Sequence, residues 1–224
     1  MPVTEAPTQL ADHADAYLRA LVARDGRAAR AAVDAALQAG ATVSQVYVEV
    51  LQPALYAIGD RWATEACSVA DEHFATALTE TILGALGPRL RGEPRDGRLA
   101  VIACTPDERH ALGLRMVSDL LQAEGWEVFE LGASLPAADL AALVDEERPD
   151  TVLLSTSTAG RLPGIQEALT ALRALEDPPR IVVGGQFWTA EAASLARELG
   201  ADHVVRDARL LVPLLERHLA EQAT

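Results

Sequence analysis

The stretch Leu99-Ala100-Val101-Ile102-Ala103-Cys104-Thr105-Pro106-Asp107-Glu108-Arg109-His110-Ala111-Leu112-Gly113 decides the fold. Its apolar run, Leu99–Cys104, reads as a strand buried on both faces. Pro106 and Asp107 end that run, and an amphipathic segment follows near 110–124. Strand, polar loop and helix make one βα unit, and the unit recurs downstream. Short apolar runs at Trp126–Leu131, Thr151–Leu154, Ile181–Val183 and His203–Val205 each precede a helical segment, near 137–147, 162–175, 189–199 and 209–221. Five such units in succession predict a flavodoxin-like (Rossmann-type) doubly wound α/β domain over 98–224, with a parallel sheet covered on both faces. In that fold a ligand sits beyond the C-terminal strand ends, at the switch point between strands 1 and 3.

Upstream the pattern is helical. Leu10, Tyr17, Leu18, Leu21 and Val22 fall on one face of a first helix, and Ala29, Val33, Ala36 and Leu37 on one face of a second that ends at Gly40. A third helix, capped by Ser44, carries Val46, Val50, Leu51, Leu55 and Ile58, with a kink expected at Pro53. Ser68-Val69-Ala70-Asp71 reads as a capping box opening a fourth helix that runs to about Arg91. Residues 1–91 therefore predict a four-helix bundle, joined by the Pro/Gly-rich linker 92–97 to the α/β domain.

The chain has 224 residues, half of them apolar, and a net charge of −14. That charge argues against direct binding to a phosphate backbone, DNA or RNA. No apolar run is long enough to span a membrane, and no signal peptide is visible at the start, so the expectation is a soluble cytoplasmic protein. Cys67 and Cys104 lie far apart, which excludes a disulfide scaffold and a thiolate zinc knuckle.

The switch point brings forward Thr105–Gly113 and Ser155-Thr156-Ser157, with Gly184-Gly185-Gln186 after strand 4. Histidine is the commonest side-chain metal ligand, and Glu108 could hold the other ring nitrogen of His110 and set its tautomer. Gly113 removes a side chain where something bulky could pass, and paired glycines let a backbone approach a flat ligand. Taken singly, each feature reads as well or better as ordinary structure: a surface histidine near a helix start, and plain βα turns. The lone aspartate that ends strand 3 of a phosphoacceptor receiver is replaced here by Ser155.

Taken together, Glu108-x-His110-x-x-Gly113, Ser155-x-Ser157 and Gly184-Gly185 resemble, in order, the three motifs of cobalamin-binding (vitamin B12) domains. The second departs from the family's Ser-x-Leu, keeping the serine and not the leucine. The resemblance implies that His110 ligates cobalt from below in place of the cofactor's own base (base-off/His-on), with the nucleotide tail buried beside the sheet. It also implies that the upstream bundle is a cap over the upper corrin face.

In that cap, Trp62, nine intervening residues and then Glu72-His73 resemble the Trp-x9-Glu-His motif of adenosylcobalamin-dependent photoreceptors related to the light-responsive carotenoid repressors. The likeness implies that Trp62, Val69, Glu72 and His73 surround the adenosyl group. Without it, Trp62 reads as bundle core and Glu72-His73 as a solvated helix start. The repressors carry an N-terminal DNA-binding domain, whereas only about ten residues precede the first helix here, so none is expected in this sequence. They also carry a histidine after the tryptophan, where this chain has Ala63.

The expectation is thus a stand-alone, photocobilin-like B12 photoreceptor, not an enzyme. Light cleaves the Co–C bond of bound adenosylcobalamin and changes cap packing or oligomeric state. The resemblance implies a homo-oligomer, dimer or tetramer, in the dark and a separate protein signalling partner. It extends to a second chromophore, a linear tetrapyrrole such as biliverdin, held non-covalently because no cysteine attachment motif is recognisable. The alternative from another class is a corrinoid methyl carrier of a methyltransferase system.

Overall fold

The computed structural model describes residues 10–90, 92 and 94–222. The chain divides at Leu90/Arg91 into two units. Residues 1–9 of the expected bundle, Arg91 at its end and Glu93 of the linker lie outside the described residues.

The first unit is helical: α1 (Ala11–Val22), α2 (Gly26–Gln38), α3 (Val43–Gln45), a π-helical turn (Val46–Leu51), α4 (Gln52–Ala63) and α5 (Val69–Leu86). The π turn joins α3 to α4, so these three segments form the third helix of the bundle. Asp25 caps α2 by accepting from the backbone of Arg27 and Ala28. The cap of α3 is Thr42 rather than Ser44, because Gln45 stands three residues on and returns the bond to the Thr42 backbone. Ser68 and Asp71 form the expected capping box at α5. The expected kink at Pro53 takes the form of the π turn just before it. Proline lacks the N–H its helix position needs and crowds the carbonyl of Glu49, and a wider turn relieves both. Pro88 brings α5 to its end in a short 3-10 turn at Gly87–Arg89. Tyr17, Leu21, Tyr47, Leu51 and Leu83 are among the fully buried residues of this unit. Tyr17 Oη lies 2.8 Å from Thr79 Oγ1, which donates to the Ala75 carbonyl, so the phenol is the donor of the pair.

The second unit is a parallel five-stranded sheet, β1 (Leu99–Cys104), β2 (Glu127–Glu130), β3 (Thr151–Ser155), β4 (Arg180–Gly184) and β5 (His203–Val205), in the order β2-β1-β3-β4-β5. The connecting helices are α6 (Leu112–Ala123), α7 (Ala137–Glu147), α8 (Leu162–Arg173) and α9 (Ala193–Glu198), with α10 (Leu211–Gln222) last. This is the predicted doubly wound fold. One core packs α7, α8 and α9 on one face through Val101, Val152 and Leu169, and a second packs α6 and α10 on the other through Ile102, Leu121 and Leu215. Below the sheet, the Arg98 guanidinium lies over buried Trp126, 4.7 Å from the ring centroid.

The register matters most for function. Cys104 pairs with Ser155, Ser155 with Gly184, and Gly184 with Val205. Four strand ends therefore stand level, and the loops that follow them emerge side by side at the switch point.

Candidate functional site

His110 lies in the loop ahead of α6, not on the helix. Its Nδ1 is 2.6 Å from Glu108 Oε1, and its backbone N–H donates to the same oxygen at 2.9 Å. Glu108 Oε2 accepts from the backbone N–H and the hydroxyl of Ser157, at 2.7 and 2.6 Å. Ser157 Oγ in turn lies 2.9 Å from His110 Nδ1. A carboxylate only accepts, so Nδ1 carries a proton, and Nε2 is the ring nitrogen that can ligate a metal when deprotonated. The Glu108 side chain is wholly buried while that of His110 is 49% exposed. Burial alone would push the Glu108 carboxyl up. The hydrogen bonds from the His110 and Ser157 side chains and from their backbones outweigh it and hold the carboxyl at about 2.

Ser157 thus closes the site through the position at which this chain departs from Ser-x-Leu. Its hydroxyl replaces an apolar side chain with a third member of the histidine network. Ser155 ends β3, level with Cys104 and Gly184.

The glycine pair has a different physical reason from close approach of a ligand. Gly185 has φ +112, and a Cβ there would stand 2.2 Å from the Thr156 carbonyl oxygen; one on Gly184 would stand 2.8 Å from that of Val205. Gly185 lets its loop close on the Thr156 backbone, and Gly184 lets the end of β4 close on the end of β5. Gly113 is the opposite case, since a Cβ there would meet nothing within 4 Å, which leaves room beside the first turn of α6.

Further residues of the site carried no motif. Ser134, in the loop after β2, donates its backbone N–H to the Glu108 carbonyl, and its hydroxyl accepts from the Asp107 N–H. Asp107 and Ser134 both hold left-handed backbone, φ 64 and 56. Buried Thr105 and Thr156 set their hydroxyls 3.5 Å apart beneath the loops. The Gly132–Ser134 turn signal after strand 2 is what could have pointed to Ser134.

In the helical unit, α4 ends in a turn with Glu65 at φ 58 and the Ala66 N–H on the Arg61 carbonyl. Trp62 and Val69 flank that turn and are 41% and 54% exposed, two of the four exposed large hydrophobic residues among those described. Trp62 is therefore not bundle core. Glu72 bonds His73 Nδ1 at 2.5 Å with one oxygen and accepts the Thr76 hydroxyl at 2.8 Å with the other. The His73 side chain is 74% exposed.

The donor set fits a corrinoid. The imidazole is held through Nδ1 by a buried carboxylate, which leaves Nε2 as its ligating nitrogen. One imidazole is a single ligand, and among the described residues no group of three or more His, Cys, Asp or Glu could hold a bare ion. A metal bound here brings its other ligands with it, as cobalt in a corrin does.

Comparison with known proteins agrees. The B12 binding domain family matches residues 98–213, and a second B12 binding domain family matches 13–86. The chain belongs to the B12 binding domain family. It is a cobalamin-binding protein. It is 33% identical over 155 residues to the HTH-type transcriptional repressor CarH of Myxococcus xanthus, covering 69% of this chain and 49% of that protein. It is 28% identical over 117 residues to dimethylamine corrinoid protein 3 of Methanosarcina mazei, covering 50% of this chain and 66% of that one. The chain spans about half the length of the repressor it matches. The structure of the Methanosarcina barkeri monomethylamine corrinoid protein has the same fold, with TM-score 0.78 and 20% identity over 92% of this chain and 98% of that one. No helix among the described residues is long and apolar enough to cross a membrane.

Proposed function

We propose that the protein is a light sensor using adenosylcobalamin, with His110 as the lower cobalt ligand and the helical unit supplying the adenosyl side. The observation that carries this is the constellation around the α4–α5 turn: two exposed apolar side chains, Trp62 and Val69, beside a histidine tethered by Glu72. The similarity to CarH supports it. Its 155 aligned residues exceed the 134 of the α/β unit (224 less 90), so the likeness reaches into the helical unit.

When bound, adenosylcobalamin supplies a cobalt–carbon bond that visible light breaks. The chain's own residues bind and orient. Glu108 and Ser157 keep a proton on His110 Nδ1, so that Nε2 would be the atom to hold the metal. Trp62 and Val69 exclude water from the adenosyl side, and Glu72 holds His73. None of these roles is acid–base turnover, so the protein acts as a sensor and not an enzyme. Loss of the ligand that Trp62 and Val69 cover biases the helical unit between two packings. A dark homo-oligomer and a separate protein partner would read that change, and a non-covalent bilin such as biliverdin would be a second chromophore.

The test is a visible spectrum and size-exclusion profile of the adenosylcobalamin-loaded protein in the dark and again after green light. A light-dependent change in both supports the sensor. Photolysis without any change in size favours the second reading, a corrinoid methyl carrier, for which the likeness to the dimethylamine corrinoid protein speaks.

A further inference from the structure

Arg24 stands in the turn between α1 and α2 with φ 55, a conformation in which glycine is far less strained than arginine. Its side chain reaches 47 residues along the chain, where Nε donates to Asp71 Oδ1 at 2.6 Å. The other Asp71 oxygen accepts from the backbone and hydroxyl of Ser68, at 2.8 and 2.6 Å. Asp71 is the more enclosed partner, its side chain 16% exposed against 61% for Arg24. The Arg24 hydrogen bond first, and those from Ser68 next, hold the Asp71 carboxyl far below the usual carboxylate range.

One carboxylate therefore joins the α1–α2 turn, the Ser68 cap and the first turn of α5. The next two residues are Glu72 and His73. The turn is seated on α5 as well as bonded to it, since a Cβ on Gly26 would touch Leu78 and Phe74 at 3.6 and 3.9 Å. Helix ends fray unless they are tied down. Here the tie comes from a residue whose own backbone would be better served by glycine.

We infer that Arg24 is a positioning residue for the Glu72–His73 pair, setting how the first turn of α5 presents it to the upper ligand of the corrin. This rests on the proposal that the pair faces the adenosyl group. Arg24 itself touches no ligand in this account.

The experiment uses Arg24→Gly, because glycine suits φ 55 and removes only the guanidinium arm. Arg24→Lys and Trp62→Ala are run beside it. Dark absorbance titrations give the affinities for adenosylcobalamin and methylcobalamin, and circular dichroism gives the melting temperature. Arg24→Gly is expected to melt at or above the parent, keep its methylcobalamin affinity and bind adenosylcobalamin about two- to five-fold more weakly, the range of one partly exposed ion pair. Arg24→Lys recovers part of the loss. An unchanged preference in Arg24→Gly while Trp62→Ala loses it overturns the role of Arg24 and leaves the adenosyl-side reading intact. An unchanged preference in Trp62→Ala overturns that reading, and Arg24 with it. An equal loss for both corrinoids, or a lower melting temperature, marks a merely structural role and also overturns the inference.

Discussion

Glu108→Gln is the most informative single change in the α/β unit. The carboxylate accepts four donors, two from His110 and two from Ser157, and is wholly buried. An amide keeps the shape but turns one edge from acceptor into donor. The Ser157 hydroxyl and the imidazole can adapt by rotating or by moving a proton. The backbone N–H on that edge cannot, and a buried unpaired N–H costs about 1–3 kcal/mol. The bonds that remain lose their charge assistance. A second route to the magnitude is the carboxyl's depression from 4.5 to about 2, which corresponds to about 3 kcal/mol of preference for the ionised form. The two routes overlap, and a loss of about 1–3 kcal/mol in unfolding free energy is expected. The change also reaches the ligand. If the amide nitrogen faces the ring, Nδ1 must become the acceptor and Nε2 takes the proton, so the ligating lone pair is lost. Carboxylates that orient a metal-bound histidine typically contribute about 10–100-fold in affinity. Urea unfolding of the cofactor-free protein and dark titration with hydroxocobalamin measure the two effects separately. An unchanged urea midpoint together with binding within about two-fold of the parent would mean that the four hydrogen bonds neither stabilise the loop nor set the tautomer.

Three further outcomes follow from the same geometry. Gly185→Ala combines φ +112 with a Cβ 2.2 Å from the Thr156 carbonyl oxygen, so a loss of about 2–5 kcal/mol by urea unfolding is expected, with weaker corrinoid binding through displaced Ser157. Gly113→Ala should do the reverse for stability, a gain of up to about 1 kcal/mol in a helix with open space at that position, while corrinoid affinity falls if the cofactor passes there. Burial pushes the Tyr17 phenol up to about 12 from its ordinary 10.0, against the bonds and charges that lower it. The folded value lies above the unfolded one, so this contribution to stability is full below pH 10 and is lost as pH rises through about 12. Tyr17→Phe should therefore keep its helical circular dichroism to higher pH than the parent, and an equal alkaline midpoint would contradict that.

The sequence makes the α/β unit legible because its signals are short-range. Leu99–Cys104 has no polar position to offer a solvent face, and the turn residues after it fix where the loop begins. The three loops carry their chemistry in order, so Glu108, His110 and Gly184-Gly185 could be placed before the fold was seen. What could not be read is the partner each loop residue finds across the sheet. Ser157 looked like a departure from a motif, and its hydroxyl proves to bridge Glu108 and His110. Gly185 suggested room for a ligand, yet its hydrogen lies against the Thr156 backbone. Long-range pairs such as Arg24–Asp71 leave no periodic trace, since Asp71 alone reads as a capping residue and Arg24 alone as a surface charge. The π turn before Pro53 was half legible, as a kink whose form depends on how the neighbouring carbonyls find donors.

The proposed function turns on His110 as the lower ligand of the bound corrinoid. The most direct measurement is the electron paramagnetic resonance spectrum of the cobalt(II) form, on protein grown with ordinary and with nitrogen-isotope-labelled histidine. With His110 on cobalt, the ligand-nitrogen splitting changes with the label, and His110→Ala abolishes this label-dependent splitting. A splitting indifferent to the label would place the cofactor's own base, not His110, on the metal and would contradict that role.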